Sequence, residues 1–440
     1  MTGLALSGPI WEQLLTARDQ EDPHIQAGYL LHEICHFRSV EENVRAFDAL
    51  MVSRLEPRRP EPPPEEVMAA ARDGTAPSPA LAPTRAHIMN PEPPSEPLFA
   101  WVHLSDIHVG HGGAGHGWDQ KLVLATLQRD LTEQLARGLP QPNALLVTGD
   151  IAFSGASGQY DEAKRWLLDV AGAAGLDAQR VFTVPGNHDV QRARDQDRNI
   201  ARLVRALRKG DDDLDEALAD EEDRSKLASR MENYLAFVTG FASTSLKAAP
   251  SALVAWVHRQ EARGGLRVRL MGLNTALLSA DDEDKGKLRL GNEAIGSALA
   301  KAFPEDDELV LVLSHHPFQD NWLADQREAS RWIRAHAHIH LSGHVHEADL
   351  EESRAGSGGT LVRVVAGAVH GERQPVGVPA GHGYSLAAVY PGRDGGLILR
   401  VWPRVWSDNN KDFRADVHNT PRDREFAEHL IAGIRLPTSS

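Results

Sequence analysis

Residues 181–190 read Val-Phe-Thr-Val-Pro-Gly-Asn-His-Asp-Val, an apolar run that stops at a Pro-Gly turn and delivers Asn187, His188 and Asp189 in succession. Four β-type residues followed by a turn predict a short buried strand, with the polar triplet just past its carboxyl end. The same arrangement recurs along the chain. "WVHLSDIHVG" (101–110) ends on Asp106 and His108, two apart, so both side chains can point the same way. "LLVTGDIAFSG" (145–155) ends on Asp150, "LVLVLSHHPF" (309–318) on His315 and His316, and "HLSGHVHEAD" (340–349) on His344 and His346. Open α/β sheets place their sites at the carboxyl ends of strands, so these five turns are expected to converge.

Further apolar runs at "RVRLMGLNTA", "TLVRVVAGAVHG", "YSLAAVYP" and "LILRVWPRVW" add strands. Helical periodicity in "DQKLVLATLQRDLTEQLARG" and "YDEAKRWLLDVAGAAG" supplies crossovers, which predicts an α/β domain with a parallel or mixed sheet from about residue 98 onward. The segment from Gln191 to about residue 245 is strongly charged and helical in period, basic at first and acidic in its middle. It reads as a helical insertion. "HVGHGGAGHGWDQK", with His111 and His116 among its glycines, reads as a loop, and His370 and His382 are further candidates to line a pocket.

Composition bounds the rest. The chain has 440 residues, 41% of them hydrophobic and 25% charged, enough for one large domain and a smaller unit. Residues 1–55 carry a helical pattern, and residues 56–97 are rich in Pro, Ala and Glu without an apolar period, which predicts a small helical module on a linker. That module is expected to bind a protein partner. With no signal-like N-terminus, no run long enough to span a bilayer and one cysteine, Cys35, a cytoplasmic location off the membrane is expected. A formal charge of −15 disfavours duplex nucleic acid, which needs a basic face.

One stretch competes for attention. His32-Glu33-Ile34-Cys35-His36 matches the H-E-x-x-H pattern, in which two histidines one helical turn apart grip zinc. Fewer than sixty residues stand before the Pro-rich stretch, too few for a protease fold, and a chain with 21 histidines generates such patterns by chance. A packing or surface role is expected there.

The ordered set D-x-H, G-D, G-N-H-D, H-x-P histidine and G-H-x-H resembles the calcineurin-like metallophosphoesterase superfamily over roughly residues 98 to 406. The resemblance implies a sandwich of two mixed β-sheets flanked by helices, holding two divalent metal ions of the Mn, Fe or Zn type. Asp106, His108 and His346 resemble the ligands of one ion, and Asn187, His315 and His344 those of the other, with Asp150 bridging. Such a pair, about 3.5–4 Å apart, lowers the pKa of bound water and presents hydroxide to phosphorus. His188 resembles the histidine that meets the phosphoryl oxygens and assists the leaving group, with Asp189 orienting it or the turn. His316 is expected beside the ligands or facing the substrate, and Arg192 and Arg194 near a substrate phosphate.

Within that superfamily, "RLMGLNTAL" leading through a helix into "HHP" is most similar to the branch of cyclic-nucleotide and glycerophosphodiester phosphodiesterases. The expected reaction is hydrolysis of a small, nucleotide-sized phosphodiester. "GDIAFSG" lacks the arginine that phosphoprotein phosphatases carry in this segment. A single-strand nuclease, a phosphoprotein phosphatase and a non-catalytic scaffold are the alternatives; a scaffold would have lost ligands that this chain retains.

Overall fold

A computed structural model describes residues 96–111, 113–241, 253–293, 296, 308–345, 349–354, 360–370, 382–392, 396–431, 433–434 and 436. The N-terminal module, the Pro-rich linker, the H-E-x-x-H stretch and His346 lie outside the described residues.

Strands β1 (Phe99–Leu104), β2 (Ala144–Thr148) and β3 (Val181–Val184) run parallel. All their residues are buried, as expected of strands covered on both faces. Parallel neighbours need long crossovers, which α1 (Gly113–Ala136) and α2 (Ser157–Ala173) provide. Helix α1 begins within the glycine-rich stretch expected to be a loop. Its buried apolar ridge, Val123, Leu127 and Leu131, stabilises a helix that propagates back through the glycines.

A second parallel set consists of β5 (Arg267–Leu273), β6 (Glu308–Leu313), β7 (Ile339–Ser342) and β9 (Thr360–Val365). Antiparallel strands β4 (Ala255–Glu261) and β8 (Asp349–Arg354) close its two edges in the order β4-β5-β6-β7-β9-β8. The first sheet is completed by β10 (Gly383–Pro391), β11 (Leu397–Ser407), β12 (Asp412–Ala415) and β13 (Ala427–Ile431). Its order is β12-β11-β10-β1-β2-β3, with β13 also on β11. Both sheets are therefore mixed, and the fold is the two-sheet α/β sandwich expected from the sequence. Trp256 on β4 links them: its indole donates to Thr183 O on β3 at 3.0 Å and its ring stacks on Phe182. Among the described residues no helix is long and apolar enough to cross a membrane.

Residues 198–237 form four short helices: α3 (Arg198–Lys209), α4 (Leu214–Ala219), α5 (Glu221–Ser229) and α6 (Glu232–Phe237). Asp197, Asp213 and Asp220 cap the first three by accepting backbone N–H groups, which satisfies orphan donors at each start. Arg230, fully buried, grips Asp195 with two nitrogens at 2.7 and 2.9 Å and donates to the carbonyls of Leu277 and Ser279. The buried charge is paired and hydrogen-bonded, and it ties these helices to the loop after β5.

Candidate metal centre

Every turn that carries a candidate ligand follows a strand of one of the two parallel sets, so the turns meet at one edge of the sandwich. The turns after β1 and β2 are laced together. Asp106 N–H donates to Gly149 O at 3.0 Å, His108 N–H to Asp150 O at 2.9 Å, and Phe153 N–H to Val109 O at 3.1 Å. This lacing forces an unusual backbone. Asp106, His108, Asp150 and His344 all have φ between 50° and 71°, the left-handed region that L-residues avoid. Such strain costs about 1–3 kcal/mol per residue and persists where surrounding structure imposes it, commonly at functional sites.

The side chains converge on Asp150. Its Oδ2 lies 3.2 Å from Nε2 of both His108 and His315, and its Oδ1 accepts the His188 backbone N–H at 2.8 Å. His315 Nε2 is also 3.0 Å from Asn187 Oδ1 and 3.1 Å from His344 Nδ1. Asp106 Oδ2 accepts the His344 backbone N–H at 3.1 Å. Three sets of donor atoms lie within 4.8 Å of one another: His108, Asp150 and His188; Asp106, Asp150 and His315; and His315, His316 and His344.

Ring orientation can be read from the outer partners. His108 Nδ1 is 3.1 Å from His370 O, and His315 Nδ1 is 2.8 Å from Thr148 O. A carbonyl only accepts, so Nδ1 carries a proton in both rings and Nε2 is the nitrogen each turns to the centre. Ligating histidines are held in this way in metal sites generally. Burial opposes charge on His108 and His315, yet Asp150, with Asp106, raises both to about 9. Burial likewise opposes ionisation of Asp150, but His315 and His108 hold it well below the usual carboxylate range. A buried carboxylate held by one backbone N–H and by gathered positive charge fits a divalent cation. The imidazole, carboxylate and amide donors suit a divalent ion.

Two glycines give this packing its space. Gly186 has φ −110° and ψ −177°, open to any residue, but a Cβ there would overlap Asp150 Oδ1. A Cβ on Gly343 would overlap Ser105 Oγ and crowd Asp106 Oδ2.

The remaining candidates divide. Asp189 is fully buried and its carboxylate accepts from the backbone of Ile151, Ala152 and Gly186 and from Tyr160 Oη at 2.9 Å. These contacts clamp the turns after β2 and β3 together. His188 Nδ1 is 2.7 Å from Phe153 O. His316 is fully buried, with Nδ1 2.9 Å from Thr275 Oγ1 and with Nε2 lacking a hydrogen-bond partner. Its ring packs with those of His344 and Trp322. Arg192 and Arg194, expected near a substrate phosphate, pair with Asp282 and Glu232 on the surface. His370 and His382 are buried and stacked at 4.9 Å, and His111 lies 6.1 Å from His370. The sequence alone does not single out Phe153, Trp322 or Thr275. Phe153 and Thr275 act partly through a carbonyl or a hydroxyl contact that no local pattern encodes.

A family model described as calcineurin-like phosphoesterase matches residues 101–348, more than half of the 440-residue chain. The chain is also 25% identical over 236 residues to an uncharacterized metallophosphoesterase-like protein, YydB, of Bacillus subtilis strain 168. That match covers 51% of this chain and 45% of the relative, so less than half of the relative's length is represented. Two solved structures show weak likeness. One is a conserved uncharacterized protein from Streptococcus pneumoniae, described as a predicted phosphoesterase (10% identity, TM-score 0.27, 76% of this chain and 97% of that one). The other is a hypothetical protein from Thermus thermophilus (13% identity, TM-score 0.31, 76% and 98%).

Proposed function

From the premise that the chain belongs to the calcineurin-like phosphoesterase family, we propose that it is a phosphodiesterase using two divalent ions on a nucleotide-sized substrate. The observation that carries this reading is the position of Asp150 Oδ2, 3.2 Å from the metal-facing nitrogens of both His108 and His315. One carboxylate oxygen between two imidazoles that belong to opposite halves of the donor set suits a shared ligand. Following the family motif, we assign Asp106, His108 and His346 to one ion and Asn187, His315 and His344 to the other. Ions held there supply Lewis-acid activation of the phosphoryl group and of water.

The protein's own groups do the rest. Asp189 holds the G-N-H-D turn against the G-D turn, which keeps Asn187 and His188 in place. His188 sits on that turn with its Nδ1 occupied, so Nε2 is the nitrogen available to a departing oxygen or a phosphoryl oxygen. The missing arginine in "GDIAFSG" supports a diester over a phosphoprotein. We place the protein in the cytoplasm and assign the N-terminal segment to partner binding.

A hydrolysis screen with added Mn, Zn or Fe tests the reading across cyclic nucleotides, dinucleotides, bis-para-nitrophenyl phosphate, single-stranded DNA and a phosphopeptide. The expected result is chelator-sensitive cleavage of small diesters with the phosphopeptide untouched. Preferred cleavage of the phosphopeptide or of DNA would replace the substrate class, and no hydrolysis with any ion would overturn the reading.

A further inference from the structure

We propose that Phe153 is the positioning residue of His188, its carbonyl fixing which imidazole nitrogen is free and its ring fixing the plane in which that nitrogen points. The inference rests on the reading of His188 as the group that meets the phosphoester. Two independent contacts from one residue carry it. Phe153 O is 2.7 Å from His188 Nδ1, and a carbonyl oxygen only accepts, so Nδ1 carries the hydrogen and Nε2 is left for the reaction. The Phe153 ring also stacks on the His188 imidazole, with centroids 5.2 Å apart and planes 24° from parallel. A hydrogen bond alone permits rocking about its axis; a stacked face opposes it.

Phe153 is itself anchored. Its N–H donates to Val109 O, and the preceding Ala152 N–H donates to Asp189 Oδ1 at 3.0 Å, so the accepting carbonyl is fixed from the turns of β1 and β3. The ring does not stand free to receive a substrate base. His188 stacks on it, and His111 meets it edge-on at 4.5 Å, with His108 at 6.3 Å. A ring wedged among three imidazoles holds its neighbours in place.

The test is a double-mutant cycle in the full chain, read on an alkyl phosphodiester and on bis-para-nitrophenyl phosphate. Phe153→Leu keeps apolar bulk without a planar face, and Phe153→Ala removes both. Each is expected to lower kcat on the alkyl ester by about 10-fold with KM within about 2-fold, and to affect the aryl ester, whose leaving group needs little help, by less than about 3-fold. Phe153→Tyr restores the rate. In a His188→Ala background the same substitutions change the rate by less than about 2-fold, because the group they position is gone. Equal losses in both backgrounds, whichever ester is read, would overturn the proposal. A readout apart from activity is histidine nitrogen NMR of the metal-free protein, with His188 identified by its loss in His188→Ala. Neutral His188 is expected as the Nδ1–H tautomer, and a dominant Nε2–H tautomer would overturn the proposal. A wild-type chain inactive on every ester overturns the phosphoesterase reading instead, and the NMR result still decides the positioning.

Discussion

The backbone N–H of His188 donates to Asp150 Oδ1 at 2.8 Å, which leaves Oδ2 of the same carboxylate to face His108 and His315. One oxygen is spent on positioning and the other is kept for the centre. The G-D and G-N-H-D turns are thus a single device, built across β2 and β3.

Gly186 makes that contact possible, since a side chain there would displace the Asp150 carboxylate. Gly186→Ala is expected to destabilise the fold by roughly 1–3 kcal/mol, as overpacking does. Metal affinity is expected to fall by about 10-fold or more, as when an orienting contact to a ligand is lost. Denaturant unfolding and metal titration check the two effects. Unchanged metal affinity would show that the carboxylate tolerates the displacement.

Three histidines, His103 and His340 buried and His338 partly so, make stability depend on acid. Burial lowers His103 to about 3, His338 to about 4 and His340 to about 3. His338 must stay neutral because its Nδ1 accepts the Val310 N–H, and His340 lies flat on Phe318 with Nε2 2.8 Å from Ser314 Oγ. The unfolded chain binds these protons below about pH 6.5 while the folded one does not. Their contribution is therefore complete above pH 6.5 and is lost as pH falls toward 4, at about 1.4 kcal/mol per pH unit for each histidine in the window. Unfolding measured between pH 7.5 and 4.5 should show this slope. His340→Asn should make it shallower by about 1.4 kcal/mol per pH unit, and an unaltered slope would remove His340 from the account.

Strands β1, β2, β3 and β6 were legible because they are apolar along most of their length and, like the shorter-patterned β7, end in ligand motifs. Four strands escaped notice: β4 (AWVHRQE), β8 (DLEESR) and β12 (DFRA) are sheet edges, and β13 (AEHLI) pairs with β11 alone. Edge strands carry charge on their exposed positions, which erases the apolar signal that reveals inner strands. The site divides in the same way. Residue types such as Asp106, Asn187 and His344 announce themselves by motif, whereas the carbonyls of Thr148, His370 and Phe153 that aim the imidazoles are backbone atoms with no residue signature. The partners of Arg192 and Arg194, Asp282 and Glu232, were not legible either, because a charge next to a motif reveals its neighbours in sequence and not its partners in space.

The N-terminal segment offers a separate test. If His32 and Glu33 built a zinc peptidase, Glu33→Gln would abolish a chelator-sensitive proteolysis. The expected outcome is that no such proteolysis exists, that His32→Ala with Glu33→Gln leaves ester hydrolysis within about 2-fold of wild type, and that a chain lacking residues 1–95 remains active. Loss of hydrolysis in that shortened chain, with its metals retained, would assign the segment a part in the active site.

Metal content of the purified chain, compared between wild type and Asp150→Ala, tests the shared carboxylate most directly. The account predicts two tightly held divalent ions per wild-type chain, none held tightly by Asp150→Ala, and loss of hydrolysis with them, because Oδ2 faces both halves of the donor set. An Asp150→Ala chain that keeps two ions and its turnover would contradict it.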